Sequence, residues 1–242
     1  MQKFGKEGGD STINEGGGGV LGEIAHSRLK RGVPFIFHQN VQCIRNKVSE
    51  VEATLYDLAP LCVCLTELGL SQPEFNALHV SGYDRAGGFL REAGKWGGVG
   101  WFVENGATYK LIEDFGKMGK DFDFEVAAIE MTYSSLGKVL LIGVYRSPNG
   151  SLDSFFKIFN DTLHYATSKW KSIIVCGDFN IDLLRTSRQV DEFLNILTCY
   201  GLVNKVKTAT RVAGSSSTLI GFVLTNFSSE NAVVFGTALS DH

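Results

Sequence analysis

Five short polar groups punctuate this chain where apolar runs end: His38-Gln39-Asn40, Thr66-Glu67, Tyr145-Arg146-Ser147-Pro148, Gly177-Asp178-Phe179-Asn180 and Ser240-Asp241-His242. Carboxylates, amides, a phenol and imidazoles are the side chains that bind hard cations, move protons and donate to anionic oxygens. Singly, each has an ordinary explanation. Asn40 could cap a helix beginning at Val41, Glu67 could be a solvated loop acid, and Asp178 with Asn180 could close a turn. Their joint order is what points to a site, because polar residues at strand ends can converge on a cleft that the apolar runs behind them hold rigid.

The elements that must position them follow from periodicity. Phe35-Ile36-Phe37 reads as a strand, and Val41, Ile44, Val48, Val51 and Leu55 fall on one helix face. Strands are expected over 61–66, 98–103, 126–133, 139–145, 172–176, 218–225 and 232–238, bounded by turns rich in Gly, Asp and Asn. A helix over 152–166 repeats Leu152, Phe155, Phe159, Leu163 and Ala166 behind a Ser151 cap. Another carries Val190, Phe193, Leu194 and Leu197 and stops near Gly201. Mixed strand and helix order favours two packed sheets flanked by helices.

Composition bounds the rest. A chain of 242 residues with 44% apolar content suits one sizeable domain. The formal charge of -3 and a pI near 6.0 do not announce a nucleic-acid binder, although local basic patches remain compatible with them. Cys43, Cys62, Cys64, Cys176 and Cys199 lack the paired spacings of zinc sites and read as small core residues in a reducing compartment. No run approaches the about 18 apolar residues that span a bilayer, and no secretory segment opens the chain, so a soluble, intracellular protein is expected. Residues 1–32, with a glycine run from Gly16 to Gly19, read as a disordered tail without Walker-type spacing, ahead of a domain over 33–242.

A strand ending in Asn, one ending in Thr-Glu, then Val-Tyr-Arg-Ser-Pro, Gly-Asp-Phe-Asn and Ser-Asp-His resembles, in order, the signature of the endonuclease/exonuclease/phosphatase superfamily. Finer features resemble its branch in insect non-LTR retrotransposons: Asn46-Lys47, Gly97-Gly98-Val99, and Thr208 to Arg211 leading to Ser217-Thr218-Leu219-Ile220. The resemblance implies an α/β fold of two packed mixed β-sheets flanked by helices, a four-layer sandwich of the DNase I type lacking its last strand. It also implies a Mg²⁺-dependent endonuclease, with Mn²⁺ as a possible substitute, that nicks DNA to leave a 3′-hydroxyl. DNA is the expected substrate, the nucleus the expected compartment, and a reverse transcriptase the expected neighbour in a parent polyprotein.

By the same resemblance Glu67 is the principal metal ligand, with Asn40 and Asp241 beside it. Asp178 orients or deprotonates the attacking water, Asn180 donates toward the phosphoryl oxygens, and Tyr145 and His242 hydrogen-bond a phosphate oxygen. Such hard oxygen ligands suit Mg²⁺. Arg85, Arg91, Lys95, Lys205, Lys207 and Arg211 stand as candidate contacts to the DNA backbone.

Two departures favour an impaired or inactive remnant as the alternative. Relatives carry Ile-Asp where this chain reads Ile220-Gly221, and that acid orients the catalytic histidine. Relatives also continue into a closing strand, whereas His242 is the last residue here, so a domain truncated at its C-terminus is expected. A phosphatase of the same superfamily is a further alternative.

Overall fold

A computed structural model describes residues 36–92, 96–134, 136–228 and 232–234. The tail at 1–32, Phe35, Lys95, Asp241 and His242 lie outside the described residues.

Two sheets form the centre. The smaller has the order β1-β2-β4-β3: β1 (Ile36–Asn40), β2 (Cys62–Thr66), β4 (Val99–Glu104) and β3 (Tyr83–Phe89). The larger runs β5-β6-β7-β8-β12-β9: β5 (Tyr109–Leu111), β6 (Glu125–Tyr133), β7 (Gly137–Tyr145), β8 (Ser172–Asp178), β12 (Gly221–Thr225) and β9 (Val203–Asn204). Pairs β1/β2 and β7/β8 are parallel and the remaining pairs antiparallel, so both sheets are mixed. β10 (Arg211–Ala213) and β11 (Ser216–Thr218) make a separate two-stranded ribbon.

Alternation along β2 shows how the layers stack. Cys62 and Cys64 point toward the other sheet and pack with Val99, Trp101, Ala127, Leu141 and Cys176. Val63 and Leu65 point outward, against Val51, Leu55 and Leu58 of α1 (Val48–Leu58) and Phe75 of α2 (Gln72–Ala77). On the far side, the outer face of the larger sheet is covered by Phe155, Phe159 and Leu163 of α4 (Leu152–Lys169) and by Phe193 and Leu197 of α5 (Arg188–Cys199), with Phe115 of α3 (Glu113–Met118) beside them. Helices, sheet, sheet and helices therefore form the four-layer α/β sandwich. The Trp101 indole N–H donates across the sheet interface to the Ala127 carbonyl at 3.0 Å, satisfying the one polar atom of a fully buried ring. None of the described helices is long and apolar enough to cross a membrane.

Several expectations need correction. Val41 and Ile44 are fully buried but not helical. Gln42 and Cys43 sit at φ +45° and +74°, and the backbone N–H groups of Val41, Cys43 and Ile44 donate to the carbonyls of Thr66, Glu67 and Leu68. Those bonds prolong the β1/β2 partnership, and with the donors so used the helix starts only at Val48. Asn40 is accordingly not a helix cap: its Oδ1 accepts from Gln42 N at 3.1 Å, closing an Asx turn. The strand expected over 218–225 divides into β11 and β12, and Leu194 is exposed rather than core. Ala232, Val233 and Val234 are not in a strand, and 235–238 fall outside the described residues. The candidate backbone contacts Arg85 and Arg211 lie in strands β3 and β10.

Candidate active site

The two parallel pairs bring four strand ends to one edge. Asn40 is opposite Thr66 at the ends of β1 and β2, and Tyr145 is opposite Asp178 at the ends of β7 and β8. Because the sheets pack face to face, these ends meet across the sandwich. The Asn40 amide, 1% exposed, donates from its single Nδ2 to Glu67 Oε1 at 2.9 Å and to Asp178 Oδ2 at 2.8 Å. One buried amide thus spans two carboxylates from different sheets. Two acids held this close repel unless donors or a cation lie between them.

Each neighbour is fixed by backbone geometry. Glu67 stands at φ +55°, uncommon for a residue other than Gly, and its carbonyl accepts from Cys43 N, so the turn leaving β2 is strapped down beside Asn40. Asn180 stands at φ +50°, a conformation Asn tolerates. Its N–H donates to Asp178 Oδ1 at 3.1 Å, and its side-chain Nδ2 donates to the Arg146 carbonyl at 2.7 Å. Gly177 is needed one residue before Asp178, since a Cβ at its φ of +155° would lie 1.8 Å from the Val144 carbonyl oxygen.

Tyr145 is buried, with the Glu67 carboxylate near its hydroxyl. Burial first, and the Glu67 charge second, push the phenol pKa well up, so it stays a neutral donor at physiological pH. Arg146, read from sequence only as part of a strand end, is buried and lies under both loops. Its Nε donates to Phe179 O at 2.7 Å, Nη2 to Asn180 O at 2.7 Å, and Nη1 to Ser147 O and Gly150 O at 3.0 and 3.1 Å. A guanidinium satisfying four carbonyls pins the Asp178–Asn180 loop to the entrance of α4.

Of the sequence candidates, Asn40, Glu67, Tyr145, Asp178 and Asn180 therefore converge. Gly221 opens β12 directly opposite Asp178. A Cβ there would meet Thr210 Oγ1 at 3.4 Å, ordinary contact, and that hydroxyl already accepts from Ile220 N and Gly221 N. Thr210 went unremarked as a site residue, although it lies within the Thr208 to Arg211 segment. Among the candidate phosphate contacts, Arg91 is buried against Glu125, while Arg85 is tied to Leu78 O and Lys207 to Asn204 O. Neither Glu125 nor Phe122 gave a sequence signal, since an acid and an aromatic beside an apolar run are commonplace.

Residues 139–242 match the family model described as endonuclease-reverse transcriptase, a segment that takes in Tyr145, Asp178 and Asn180 and extends to Asp241 and His242. The fold is shared with the endonuclease domain of TRAS1, a telomere-specific non-LTR retrotransposon, at 10% identity and TM-score 0.62 over 79% of this chain and 83% of that one. It is shared as well with the AP endonuclease of Leishmania major, at 14% identity and TM-score 0.64 over 79% and 78%. A 3′ phosphatase from Neisseria bound to product DNA hairpin aligns at 18% identity and TM-score 0.59 over 80% and 86%. No curated protein matches the chain. The family match and the DNase I-like sandwich together bear out the resemblance to the endonuclease/exonuclease/phosphatase superfamily. Within it the retrotransposon endonucleases are the branch this chain is similar to.

Proposed function

We propose that the chain is a divalent-metal-dependent phosphodiester hydrolase that nicks DNA and leaves a 3′-hydroxyl. The Asn40 amide bridging Glu67 and Asp178 carries this reading, since it places two acids of distinct surroundings around one point. Glu67 and Asp178 bring carboxylate oxygens to one amide, and hard oxygen donors of this kind suit a cation that keeps several waters, as Mg²⁺ does. Glu67, with Asp241 as a further candidate, would hold it, and bound there it would neutralise phosphate charge. Asn40 turns its N–H groups to the acids, which holds them together, and its oxygen, with one lone pair on Gln42 N, would offer the other to the cation.

The chain's own residues account for the other tasks. Asp178, with each oxygen already engaged by an N–H, accepts the proton of the attacking water. Asn180 keeps a second amide hydrogen for a phosphoryl oxygen while the first stays on Arg146 O. Tyr145, neutral and beside Glu67, turns its O–H to the phosphate when substrate arrives. His242 would add a donor. Gly221 opposite Asp178 favours the second reading, an impaired or inactive remnant, because no acid stands on β12 at that register. A parent polyprotein would join the domain to a reverse transcriptase acting on chromosomal DNA in the nucleus.

The test is nicking of supercoiled plasmid in Mg²⁺ with and without chelator, followed by polymerase extension from the nick. Chelator-sensitive nicks that prime extension are expected from the parent and absent from Glu67→Gln. Equal nicking by Glu67→Gln with the fold intact would sink the metal assignment, and a parent that does not nick would leave the remnant reading standing.

A further inference from the structure

Phe122 is a bulky aromatic at φ +68°, where side chains are costly, and it is 46% exposed. Its backbone is nonetheless fixed on both sides. Phe122 N donates to Glu125 Oε1 at 3.1 Å, and its carbonyl accepts from Ser147 N at 2.9 Å. Gly150 approaches so closely that a Cβ there would lie 2.2 Å from Phe122 O. Ser147 is two residues from Tyr145, so the turn holding Phe122 is tied to the edge where the site residues meet.

The ring is supported from one side. Arg91 Cζ lies 4.0 Å from its centroid and 5.9 Å from that of Tyr145. The guanidinium is itself buried and held by Glu125, through Nε at 2.6 Å and an Nη2 contact of 2.5 Å to the same oxygen. The other Glu125 oxygen accepts from Gly98 N at 2.6 Å. A buried ion pair thus braces an aromatic ring that leaves nearly half of its residue in solvent, at a backbone angle with nothing to recommend it for packing. Strain held by surrounding structure at the rim of a site is a mark of use.

Resting on the nuclease reading above, we propose that Phe122 is a stacking platform for a base of the substrate strand beside the scissile phosphate. The exposed ring offers a sequence-tolerant surface to any base, and the Arg91–Glu125 pair behind it holds the ring in place for stacking.

The experiment measures binding of a short fluorescein-labelled DNA by anisotropy, with Ca²⁺ replacing Mg²⁺ so that cleavage does not interfere, together with the melting temperature of each variant. Phe122→Leu and Phe122→Ala are expected to bind roughly five- to a hundredfold more weakly, the range for loss of one base–aromatic stack, while Phe122→Tyr binds as the parent does. Should Leu fail to fold, Phe122→Gly, unstrained at this φ, replaces it. Binding by Leu or Gly at the parent's affinity, or an equal loss in Tyr, overturns the proposal. If the parent nicks plasmid but the variants bind alike, only the stacking role fails. If the parent neither nicks nor binds DNA, both readings fall.

Discussion

Asn40 shows what a single residue does here: it replaces the repulsion of two acids with two hydrogen bonds. Asn40→Asp should then lose about 1–3 kcal/mol of stability in chelator, since a donor between buried acceptors becomes a third acceptor. Mg²⁺ should restore part of that loss. Melting curves with chelator and with Mg²⁺ check both halves, and a variant as stable as the parent in chelator would contradict the shared-donor geometry. Asp178→Asn is expected to lower single-turnover rate by roughly 10²–10⁴-fold while DNA affinity changes little, because proton transfer belongs to the transition state. Parallel losses of rate and affinity would move Asp178 to substrate holding.

At the scale of elements, the Arg91–Glu125 pair joins the loop after β3, the turn before β6 and the start of β4 through one carboxylate. Burial raises the Glu125 pKa despite the Arg91 charge and these donors, so its ionised form sits at some cost. Removing one member should be worse than removing both. Glu125→Leu is expected to cost about 3–5 kcal/mol by leaving Arg91 charged and buried, and Arg91→Met with Glu125→Leu should recover most of it. Urea titrations of the two single variants and the double give the coupling directly, and additive losses would show that the pair is not a unit. Surface acids act oppositely. Hydrogen bonding from Lys138 and then Trp170 holds Glu130 below its ordinary 4.5. Its stabilisation is present above about pH 4.5 and is lost as pH falls through its folded pKa. Glu130→Gln should accordingly shrink the drop in melting temperature between about pH 7 and about pH 3, and an unchanged drop would remove Glu130 from the acid limb.

For the molecule as a whole, the proposed activity depends on strand ends that the packing of the two sheets brings together. Gly221 sits at that junction, opposite Asp178, with room for a side chain beside Thr210. Gly221→Asp sets the roughly 0.5–1 kcal/mol gained over a strand glycine against a second buried carboxylate opposite Asp178, so it should be no more stable than Gly221→Asn. It should also raise Mg²⁺-dependent nicking if a missing acid limits His242. Gly221→Asn and Gly221→Ala are the controls, with melting temperatures on all four proteins. Asp giving no more rate than Asn or Ala at matched folded fraction would show that the acid is not limiting.

Periodicity along the chain is enough to find the long elements and the residues at their ends. β6, β7, β8, α4 and α5 were legible because their apolar periods are sustained over many residues, and Asn40, Glu67, Tyr145, Asp178 and Asn180 because each follows such a run. Short or glycine-broken pieces were not legible: β3 carries Gly87 and Gly88 with a bulge, and β5 and β9 are too brief to show a period. The tertiary structure makes Val41 to Lys47 no helix, because the carbonyls claiming the N–H groups of Val41, Cys43 and Ile44 belong to a strand end far along the chain. It alone placed Asn40 between acids of two sheets, set Arg146 beneath the Asp178–Asn180 loop, and withdrew Arg91 from the surface to brace Phe122. Local pattern records what one segment prefers. Which polar atom meets which is fixed by sheet packing, and that is a property of residues remote in sequence.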